Sequence, residues 1–328
     1  MIKIKHIICF FSLFLLVVPV AQSEEILIKF SHVAAVNSPK GQMANKLKEL
    51  VDERLKGKLK LEVYPNSQLF SDSHVLEAIL LGDVQLAAPA LSKFRKYTNK
   101  IQVFDLPFLF QDMVAVERFQ NGPYGQKLLA SMESKGIKGL GYFHNGMKQL
   151  TANSPLRWPL DVRGKKFRIM TSDVIAAQFK AVDAITIKKP YAEVFTLLQT
   201  NAIDGQENTW SNIYSKKFFE VQKYISETNH GVLDYMVVSS TEFWDSLPDD
   251  IRDELKMAVD EACIYGNQVA VAQAKSDRQK IIDSGRSIVI SLQPKEIAEW
   301  VEVMQPVWKQ FEPQLGKELI DAAFSSNQ

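Results

Sequence analysis

The segment Gly164-Lys165-Lys166-Phe167-Arg168-Ile169 and the later segment Asp204-Gly205-Gln206-Glu207-Asn208 decide how this sequence is interpreted. The first predicts a short strand with Phe167 and Ile169 in the core and Arg168 on the other face, because side chains alternate along a strand. The second predicts a strand end that carries a polar cluster. Ligands of open α/β sheets bind outside the carboxyl ends of the strands. The two segments therefore predict an α/β fold with Arg168 near one binding edge.

Around these segments, short apolar runs alternate with amphipathic stretches. The predicted strands cover residues 26–31, 58–64, 84–88, 140–142, 148–152 and 166–170. The predicted helices begin at Ser38-Pro39 and cover residues 75–81, 174–181 and 192–200. The order of strand, helix and strand favours a mostly parallel sheet with helices on both faces. Because this order occurs in two blocks, it predicts two similar α/β lobes that face each other.

A long helix is predicted in the last third of the chain. It starts at Pro248 and runs to about Asp283, and Gly266 is the only glycine or proline within it. At 1.5 Å per residue such a helix would extend roughly 50 Å, which is longer than one small lobe. It is therefore expected to connect two lobes. The alternative is a pair of helices that break near Gly266.

The N-terminus has the layout of a cleaved secretory signal peptide. Lys3 and Lys5 precede an apolar run from residue 7 to residue 20, and Ala21-Gln22-Ser23 offers small residues at a cleavage site. The run is shorter than the ~18 to 20 apolar residues of a membrane-spanning helix, which is the alternative interpretation. We expect residues 1–23 to be removed and the secreted protein to be soluble.

The composition of the secreted part does not favour nucleic-acid binding. Without residues 1–23 the chain has 37 basic and 38 acidic residues, a formal charge near −1, whereas nucleic-acid-binding domains are usually basic. Cys9 would leave with the signal peptide, so Cys263 has no partner for an internal disulfide. About 305 residues are enough to bury an apolar core and to divide into two lobes.

No sequence motif indicates a cofactor, a metal or a catalytic mechanism. The four histidines of the secreted part, His32, His74, His144 and His230, have spacings that match no metal-binding motif. The patterns GxSxG, HExxH, GxGxxG and the P-loop are absent from the sequence. The sequence therefore predicts a protein that is not an enzyme and that needs no cofactor.

Several segments, in a fixed order along the whole secreted chain, resemble the substrate-binding proteins of tripartite ATP-independent periplasmic (TRAP) transporters, of the DctP type. They are Phe30-Ser31-His32, Pro39-Lys40-Gly41, Tyr64-Pro65-Asn66-Ser67-Gln68-Leu69, Leu91-Ser92-Lys93-Phe94, Leu106-Pro107-Phe108-Leu109-Phe110, the two segments quoted first, and Phe243-Trp244. Asn145-Gly146-Met147-Lys148 and Thr228-Asn229-His230-Gly231 are similar to the branch that binds C4-dicarboxylates.

The resemblance implies a periplasmic protein of two discontinuous α/β lobes, joined by crossing strands and by one long C-terminal helix that spans both. We place lobe I at residues 24–145 and 235–273, and lobe II at residues 146–234 and 274–328. The resemblance further implies a small organic acid, a C4-dicarboxylate, held between the lobes. The partners would be the TRAP membrane permease subunits, with no stable membrane insertion after signal cleavage.

The family's carboxylate-binding arginine falls on Arg168. An arginine offers two parallel donors that match the two oxygens of a carboxylate, which a lysine does not reproduce. The resemblance places at Asn208 an asparagine that orients the ligand or the arginine. The alternatives are a solvated surface arginine and an asparagine that only caps a turn.

Four further residues are candidate ligands for a second carboxylate. Lys148 stands where the family often has a second cation. Lys40 is at a predicted helix start, where backbone N–H groups also favour anions. Ser92 and Lys93 follow the predicted strand at residues 84–88. For each lysine the alternative is simple solvation.

Tyr191 and His32 complete the predicted site. Tyr191 falls where the family has an aromatic side chain against the ligand, and His32 follows the first strand. A core tyrosine and a structural histidine are the alternatives.

Two other functions stay open from the sequence. The first is a binding protein for another organic acid, such as a sugar acid or an aromatic carboxylate, which Arg168 would serve equally well. The second is an extracytoplasmic enzyme that acts on a carboxylate, with Glu207 or Asp204 as its base. Turnover of the bound ligand would separate this enzyme from a receptor.

Overall fold

The computed structural model describes residues 25–328 and contains two β-sheets with helices packed around them. The expected signal peptide, residues 1–23, lies outside the described residues. Among residues 25–328, no helix is both long enough and apolar enough to cross a lipid bilayer. The two-lobed α/β fold predicted from the sequence is confirmed.

The first sheet has five strands and forms the core of the first lobe. They are β1 (Ile26–Ser31), β2 (Leu59–Tyr64), β3 (Leu86–Ala87), β4 (Ile137–Met147) and β10 (Val232–Ser240), in the spatial order β2-β1-β3-β10-β4. β1 runs parallel to β2 and β3, whereas β10 is antiparallel to β3 and β4. The sheet is therefore mixed rather than mostly parallel.

The second sheet has six strands and forms the core of the second lobe. They are β5 (Gln149–Ala152), β6 (Lys166–Ile169), β7 (Ile185–Lys188), β8 (Gly205–Asn208), β9 (Tyr224–Glu227) and β11 (Ile288–Ser291), in the spatial order β11-β9-β5-β8-β6-β7. β5 is antiparallel to both of its neighbours, and the other pairs are parallel. Phe167 and Ile169 of β6 are buried in the core, as the alternation predicts.

Twelve α-helices and six short 3₁₀ helices lie among residues 25–328. The α-helices are α1 (Pro39–Arg54), α2 (Val75–Leu80), α3 (Met113–Asn121), α4 (Pro123–Ala130), α5 (Asp173–Ala181), α6 (Val194–Gln199), α7 (Trp210–Ser215), α8 (Thr241–Ser246), α9 (Asp249–Ser284), α10 (Pro294–Met304), α11 (Pro306–Leu315) and α12 (Lys317–Ser325). The 3₁₀ helices are Leu91–Lys96, Asn99–Asp105, Glu133–Lys135, Pro159–Val162, Tyr191–Glu193 and Phe218–Glu220.

Local sequence explains how helix α1 is placed on the first sheet. The Ser38 hydroxyl accepts a hydrogen bond from the Gly41 N–H at 3.2 Å, and Pro39 occupies the first turn, where its missing N–H costs nothing. Met43 and Leu47 lie on one face of α1 and are fully buried in the core of the first lobe. The cap and the apolar face together determine where α1 starts and which side it buries.

Two crossing strands and one long helix join the lobes. β4 and β5 are separated only by Lys148, and β10 pairs with β4 up to Val232 opposite Met147. The register of this pair shifts between Leu233 and Asp234, which leaves Asn145 as an extra residue in β4. The chain therefore passes between the lobes at an irregular point in the strand pair.

Helix α9 is continuous for 36 residues, about 54 Å at the usual rise. It contacts α1 of the first lobe and α7 of the second. A break near Gly266 is therefore excluded. A Cβ atom on Gly266 would lie 2.9 Å from the Cβ atom of Met43, so this glycine allows α1 and α9 to pack closely.

The C-terminal helices lie against the core of the first lobe as well as near the second. Val307, Phe311 and Leu319 share one apolar cluster with Phe104 and Phe119, while α11 also contacts α5. The lobe boundaries given above stay a prediction. We propose these boundaries for the strands and for α9. The packing of α11 and α12 instead supports a closer association of those two helices with the first lobe.

Candidate functional site

A small cavity lies between the two lobes and has a volume of about 80 Å³. The first lobe and the crossing strand β10 contribute Val33, Ala34, Ser67, Ser71, Asp72, Ser73, Ala90, Lys93, Leu233 and Tyr235 to its wall. The second lobe contributes Lys148, Arg168, Met170, Pro190, Tyr191, Ala192, Glu207, Asn208 and Asn212. Three basic and two acidic side chains line it, so the wall carries one net positive charge. Its charge and size suit a small anion.

Arg168 is held with its guanidinium facing the cavity. It is 3% exposed, and its Nε–H donates to the backbone oxygen of Lys189 at 2.9 Å. Among residues 25–328, neither of its Nη nitrogens has a protein acceptor. Burial lowers the pKa of Arg168, and the nearby Glu207 and Tyr191 raise it. Because arginine stays protonated in proteins, two oriented donors remain for a carboxylate.

Lys148 is paired with Glu207. The Lys148 Nζ atom lies 2.5 Å from Glu207 Oε2, and His230 Nε2 lies 3.3 Å from the same oxygen. Burial raises the pKa of Glu207, but Lys148 and His230 outweigh this and lower it to about 2. For His230 burial has the opposite effect, because it disfavours the protonated ring and lowers the pKa. Glu207 is therefore ionised and compensates the charge of Lys148 within the cavity wall.

Asn208 stands at the carboxyl end of β8, as the sequence predicts, and is buried in the cavity wall. Its Oδ1 accepts from the Thr209 N–H at 3.1 Å and from Asn212 Nδ2 at 2.8 Å. Its Nδ2 donates to Gln206 Oε1 at 3.2 Å. These bonds hold Asn208 in one orientation beside Arg168.

Two tyrosines close the cavity from opposite sides. The Tyr191 hydroxyl is buried and has no hydrogen-bond partner among residues 25–328. The Tyr235 hydroxyl accepts from Asn145 Nδ2 at 2.5 Å, and the Lys40 Nζ atom lies 3.5 Å from the centre of the Tyr235 ring. Burial raises the pKa of both phenols. Both hydroxyls therefore stay protonated and can donate to an anion.

The wall of the first lobe contains Lys93 and an acid, Asp72. Lys93 Nζ lies 3.4 Å from Ser73 Oγ, and Asp72 Oδ2 accepts from the Ala90 N–H at 3.3 Å. Burial lowers the pKa of Lys93, and Asp72 raises it. Lys93 thus faces the cavity opposite Arg168, and the carboxylate of Asp72 is close enough to interact with its charge.

Lys40, Ser92 and His32, which the sequence placed at the ligand, do not line the cavity. Lys40 donates to the backbone oxygen of Ala88 at 2.6 Å, and burial lowers its pKa to about 8. Ser92 donates to Asp105 Oδ1 at 2.8 Å. For His32, burial together with Lys40 lowers the pKa to about 3. These three side chains support the wall from behind.

Sequence reasoning missed three of the polar side chains in the wall. Asn212 follows Asn208 by four residues, and this spacing on the helical turn after β8 could have revealed it. Asp72 lies in a polar loop before α2, and the polarity of this loop is the only feature of the sequence that could have indicated it. Tyr235 comes from the continuous apolar strand β10, and nothing in its local sequence distinguishes it from a core residue.

Comparisons with known proteins identify the family that this chain resembles along its length. The family model for bacterial extracellular solute-binding proteins, family 7 (DctP), matches residues 30–314. The C4-dicarboxylate-binding periplasmic protein DctP of Shewanella loihica is 64% identical over 301 residues, which cover 92% of this chain and 90% of that relative.

Solved structures are also similar over nearly the whole chain. A TRAP periplasmic solute-binding protein from Shewanella oneidensis with bound succinate has 61% identity and a TM-score of 0.92, and covers 93% of this chain and 100% of its own. A second, from Pseudomonas aeruginosa with bound L-malate, has 45% identity and a TM-score of 0.85, and covers 87% and 99%.

Proposed function

Because this chain belongs to family 7 of the bacterial extracellular solute-binding proteins, we propose that it captures a C4-dicarboxylate in the cavity between its lobes. Succinate, fumarate and malate are the candidate ligands. The protein would act in the periplasm after signal cleavage and deliver its ligand to the membrane permease of a TRAP transporter. It would release the ligand chemically unchanged.

One observation carries this proposal: Arg168 is only 3% exposed in the cavity wall, and its two Nη nitrogens have no protein acceptor among residues 25–328. A buried guanidinium with free donors is costly unless an anion completes it. A planar carboxylate matches both donors at once. Lys93, on the facing wall, and the two tyrosine hydroxyls would receive the second carboxylate.

The size of the cavity favours a C4 acid over a larger one. Its volume of about 80 Å³ is well below the ~300–1,000 Å³ of pockets that hold drug-sized ligands. A sugar acid or an aromatic carboxylate would have to separate the lobes further. The relatives that carry succinate and L-malate support the same choice.

The acids that could serve an enzyme are unsuited to act as a base at the cavity. Glu207 has its pKa lowered to about 2 and is paired with Lys148, so it has little tendency to take up a proton. Asp204 is exposed and accepts from the Lys166 N–H at 2.7 Å, outside the cavity wall. The properties of both acids therefore favour a receptor over an enzyme.

Calorimetry on the secreted protein tests the proposal. Succinate, fumarate and malate should bind with micromolar or tighter affinity, about −8 kcal/mol. Galactonate and neutral glucose serve as the size and charge controls. Binding of glucose without binding of any dicarboxylate would contradict the proposed ligand class, and conversion of the bound acid, followed by chromatography, would contradict the receptor role.

A further inference from the structure

A buried carboxylate outside the cavity wall, that of Asp105, connects the two lobes. Asp105 is the last residue of the 3₁₀ helix Asn99–Asp105 and is 3% exposed. Its Oδ1 accepts from the Ser92 hydroxyl of the first lobe at 2.8 Å, and its Oδ2 accepts from the Ser172 hydroxyl of the second lobe at 2.8 Å. The backbone oxygen of Asp105 accepts from Gln178 Nε2 of helix α5. One residue is therefore bonded to both lobes.

These hydrogen bonds come from positions next to the two cations that we expect to hold the ligand carboxylates. The first-lobe donor directly precedes Lys93, and Ser172 follows Arg168 by four residues, in the turn between β6 and α5. Ser172 Oγ also accepts from the Ile175 N–H at 3.2 Å, so this hydroxyl caps α5 while it donates to Asp105. The position of this turn relative to Lys93 therefore depends on Asp105.

The two cations repel each other, so their separation needs a constraint. Burial lowers the pKa of Lys93 most, Asp72 and Asp105 raise it, and the positive charge of Arg168 lowers it. Arg168 and Lys93 belong to different lobes, and their repulsion favours a wider cavity. The bonds of Asp105 to a hydroxyl from each lobe oppose this widening.

A contribution to stability does not account for a carboxylate at this position. In the described part of the chain, the two oxygens of Asp105 are bonded only to the two serine hydroxyls. A buried charge without an ionic partner is unfavourable. Apolar residues of similar volume are often neutral or stabilising at the site of buried charges. The presence of a charged side chain here therefore favours a role in positioning.

Building on the proposed function, we propose that Asp105 is a positioning residue that sets the separation of Arg168 and Lys93 and thereby selects the length of the dicarboxylate. Asp105 acts through its two serine partners and does not contact the ligand. The separation suits the four carbons of succinate. Glutarate, with one carbon more, would push the turn before α5 away from Asp105, and malonate, with one carbon fewer, would reach only one of the two cations.

Calorimetry with malonate, succinate and glutarate tests this selection. The wild type should bind succinate at least about tenfold more tightly than the other two acids. Ser92→Ala and Ser172→Ala each remove one hydroxyl from Asp105. Each should weaken succinate binding by about tenfold, as for the loss of one hydrogen bond to a charged group, while glutarate binding changes by less than about threefold. Asp105→Asn keeps the shape of the side chain but replaces one acceptor by a donor, and should reduce the preference in the same way.

Ser240→Ala is the matched control for the loss of a helix cap. The Ser240 hydroxyl accepts from the Phe243 N–H at 3.1 Å at the start of α8, outside the cavity wall. This variant should keep both the affinity for succinate and the preference for it. Circular dichroism checks the fold of each variant. If Asp105→Asn does not fold, the two variants at Ser92 and Ser172 decide the result.

Equal losses for all three acids in the variants would overturn the inference, because they would show a purely structural role. Equal binding of succinate and glutarate by the wild type, or an unchanged preference in both serine variants, would overturn it as well. So would a change of preference in Ser240→Ala as large as in Ser172→Ala. Each of these results leaves the proposed function standing, since a dicarboxylate still binds. Failure of every dicarboxylate to bind to the wild type would contradict the proposed function itself.

Discussion

At the scale of single residues, the cavity separates charges that are already paired from charges that remain available. Lys148 lies 2.5 Å from Glu207, and both side chains are almost fully buried. Removing one member of such a pair leaves an uncompensated buried charge, which is strongly destabilising. Arg168 has only a backbone oxygen at Nε. We therefore infer that Lys148 mainly stabilises the structure and adds positive electrostatic potential, whereas Arg168 makes the specific contact with the ligand carboxylate.

Replacement of Arg168 by alanine should weaken succinate binding by roughly 2–5 kcal/mol, because the buried ligand carboxylate loses its ionic partner. Arg168→Lys should recover only part of this loss, since a lysine has no planar pair of donors. Isothermal titration of both variants measures the effect. Arg163→Ala is the matched control, because Arg163 lies outside the cavity in the same lobe and is exposed to solvent. Near-wild-type binding by Arg168→Ala would contradict the assigned role.

His32 should make the protein less stable in acid. Its pKa is lowered to about 3 in the folded protein, by burial and by Lys40, against about 6.5 in an unfolded chain. The unfolded state therefore binds more protons between these values. The stabilisation from neutral His32 is complete above pH 6.5 and is lost as the pH falls towards 3.

The measurement is urea unfolding of the wild type and of His32→Leu at pH 7 and pH 5. Between these values the wild type should lose about 2 kcal/mol more of its free energy of unfolding than the variant. The comparison uses the pH slope, so any packing cost of leucine cancels. Parallel slopes for the two proteins would show that His32 does not titrate as the buried geometry indicates.

At the scale of elements, helix α9 depends on close packing at its middle. A Cβ atom on Gly266 would lie 2.9 Å from Met43 Cβ and 3.1 Å from Met43 Cγ. Alanine gains about 1 kcal/mol over glycine in a helix interior, but overpacking typically costs about 1–3 kcal/mol. Gly266→Ala should therefore lower the free energy of unfolding, or at best leave it unchanged.

Urea denaturation monitored by circular dichroism checks this result. Ser276→Ala, at an exposed position of the same helix, is the control and should raise stability by about 0.5 kcal/mol, because only helix propensity changes there. If Gly266→Ala were stabilised as much as Ser276→Ala, the contact between α1 and α9 would be looser than the structure indicates.

The elements differ in how well the sequence predicts them, for physical reasons. Helix α9 is predictable because a long amphipathic pattern without proline has no other stable form. Strand β3 covers only Leu86–Ala87, whereas the apolar run predicted residues 84–88. The antiparallel direction of β5 and β10 escapes prediction, since their partners lie far away in the sequence and local periodicity does not encode strand direction.

In the candidate site too, the sequence predicts local features well and features that depend on distant residues poorly. Alternation in β6 correctly orients Arg168 away from the core, because that property is local. The direction of Lys40 depends instead on Ala88 and Tyr235, 48 and 195 positions further along the chain, and the sequence alone does not place them together. Side chains whose neighbours are distant are therefore the ones whose role the sequence predicts least well.

At the scale of the whole molecule, the structure shows the lobes close together, with the main binding residues almost fully buried between them. Arg168, Glu207 and Asn208 are at most 3% exposed, although all three line the cavity. The wall comes from both lobes, and the chain crosses between them at the irregular strand pair and at α9. We therefore expect the lobes to separate when a ligand enters. A ligand favours the closed form only to the extent that it binds that form better.

Ligand should therefore reduce the radius of gyration in solution. A dicarboxylate reaches Arg168 of the second lobe and Lys93 of the first only when the lobes are close, so succinate or malate should favour the closed form. Butyrate has one carboxylate and should bind at Arg168 while closing the lobes less completely. Small-angle scattering at saturating ligand measures the change, and Lys93→Ala with succinate should behave like the wild type with butyrate. A scattering curve that does not change while calorimetry confirms binding would mean that the lobes are rigid or that the ligand contacts one lobe only.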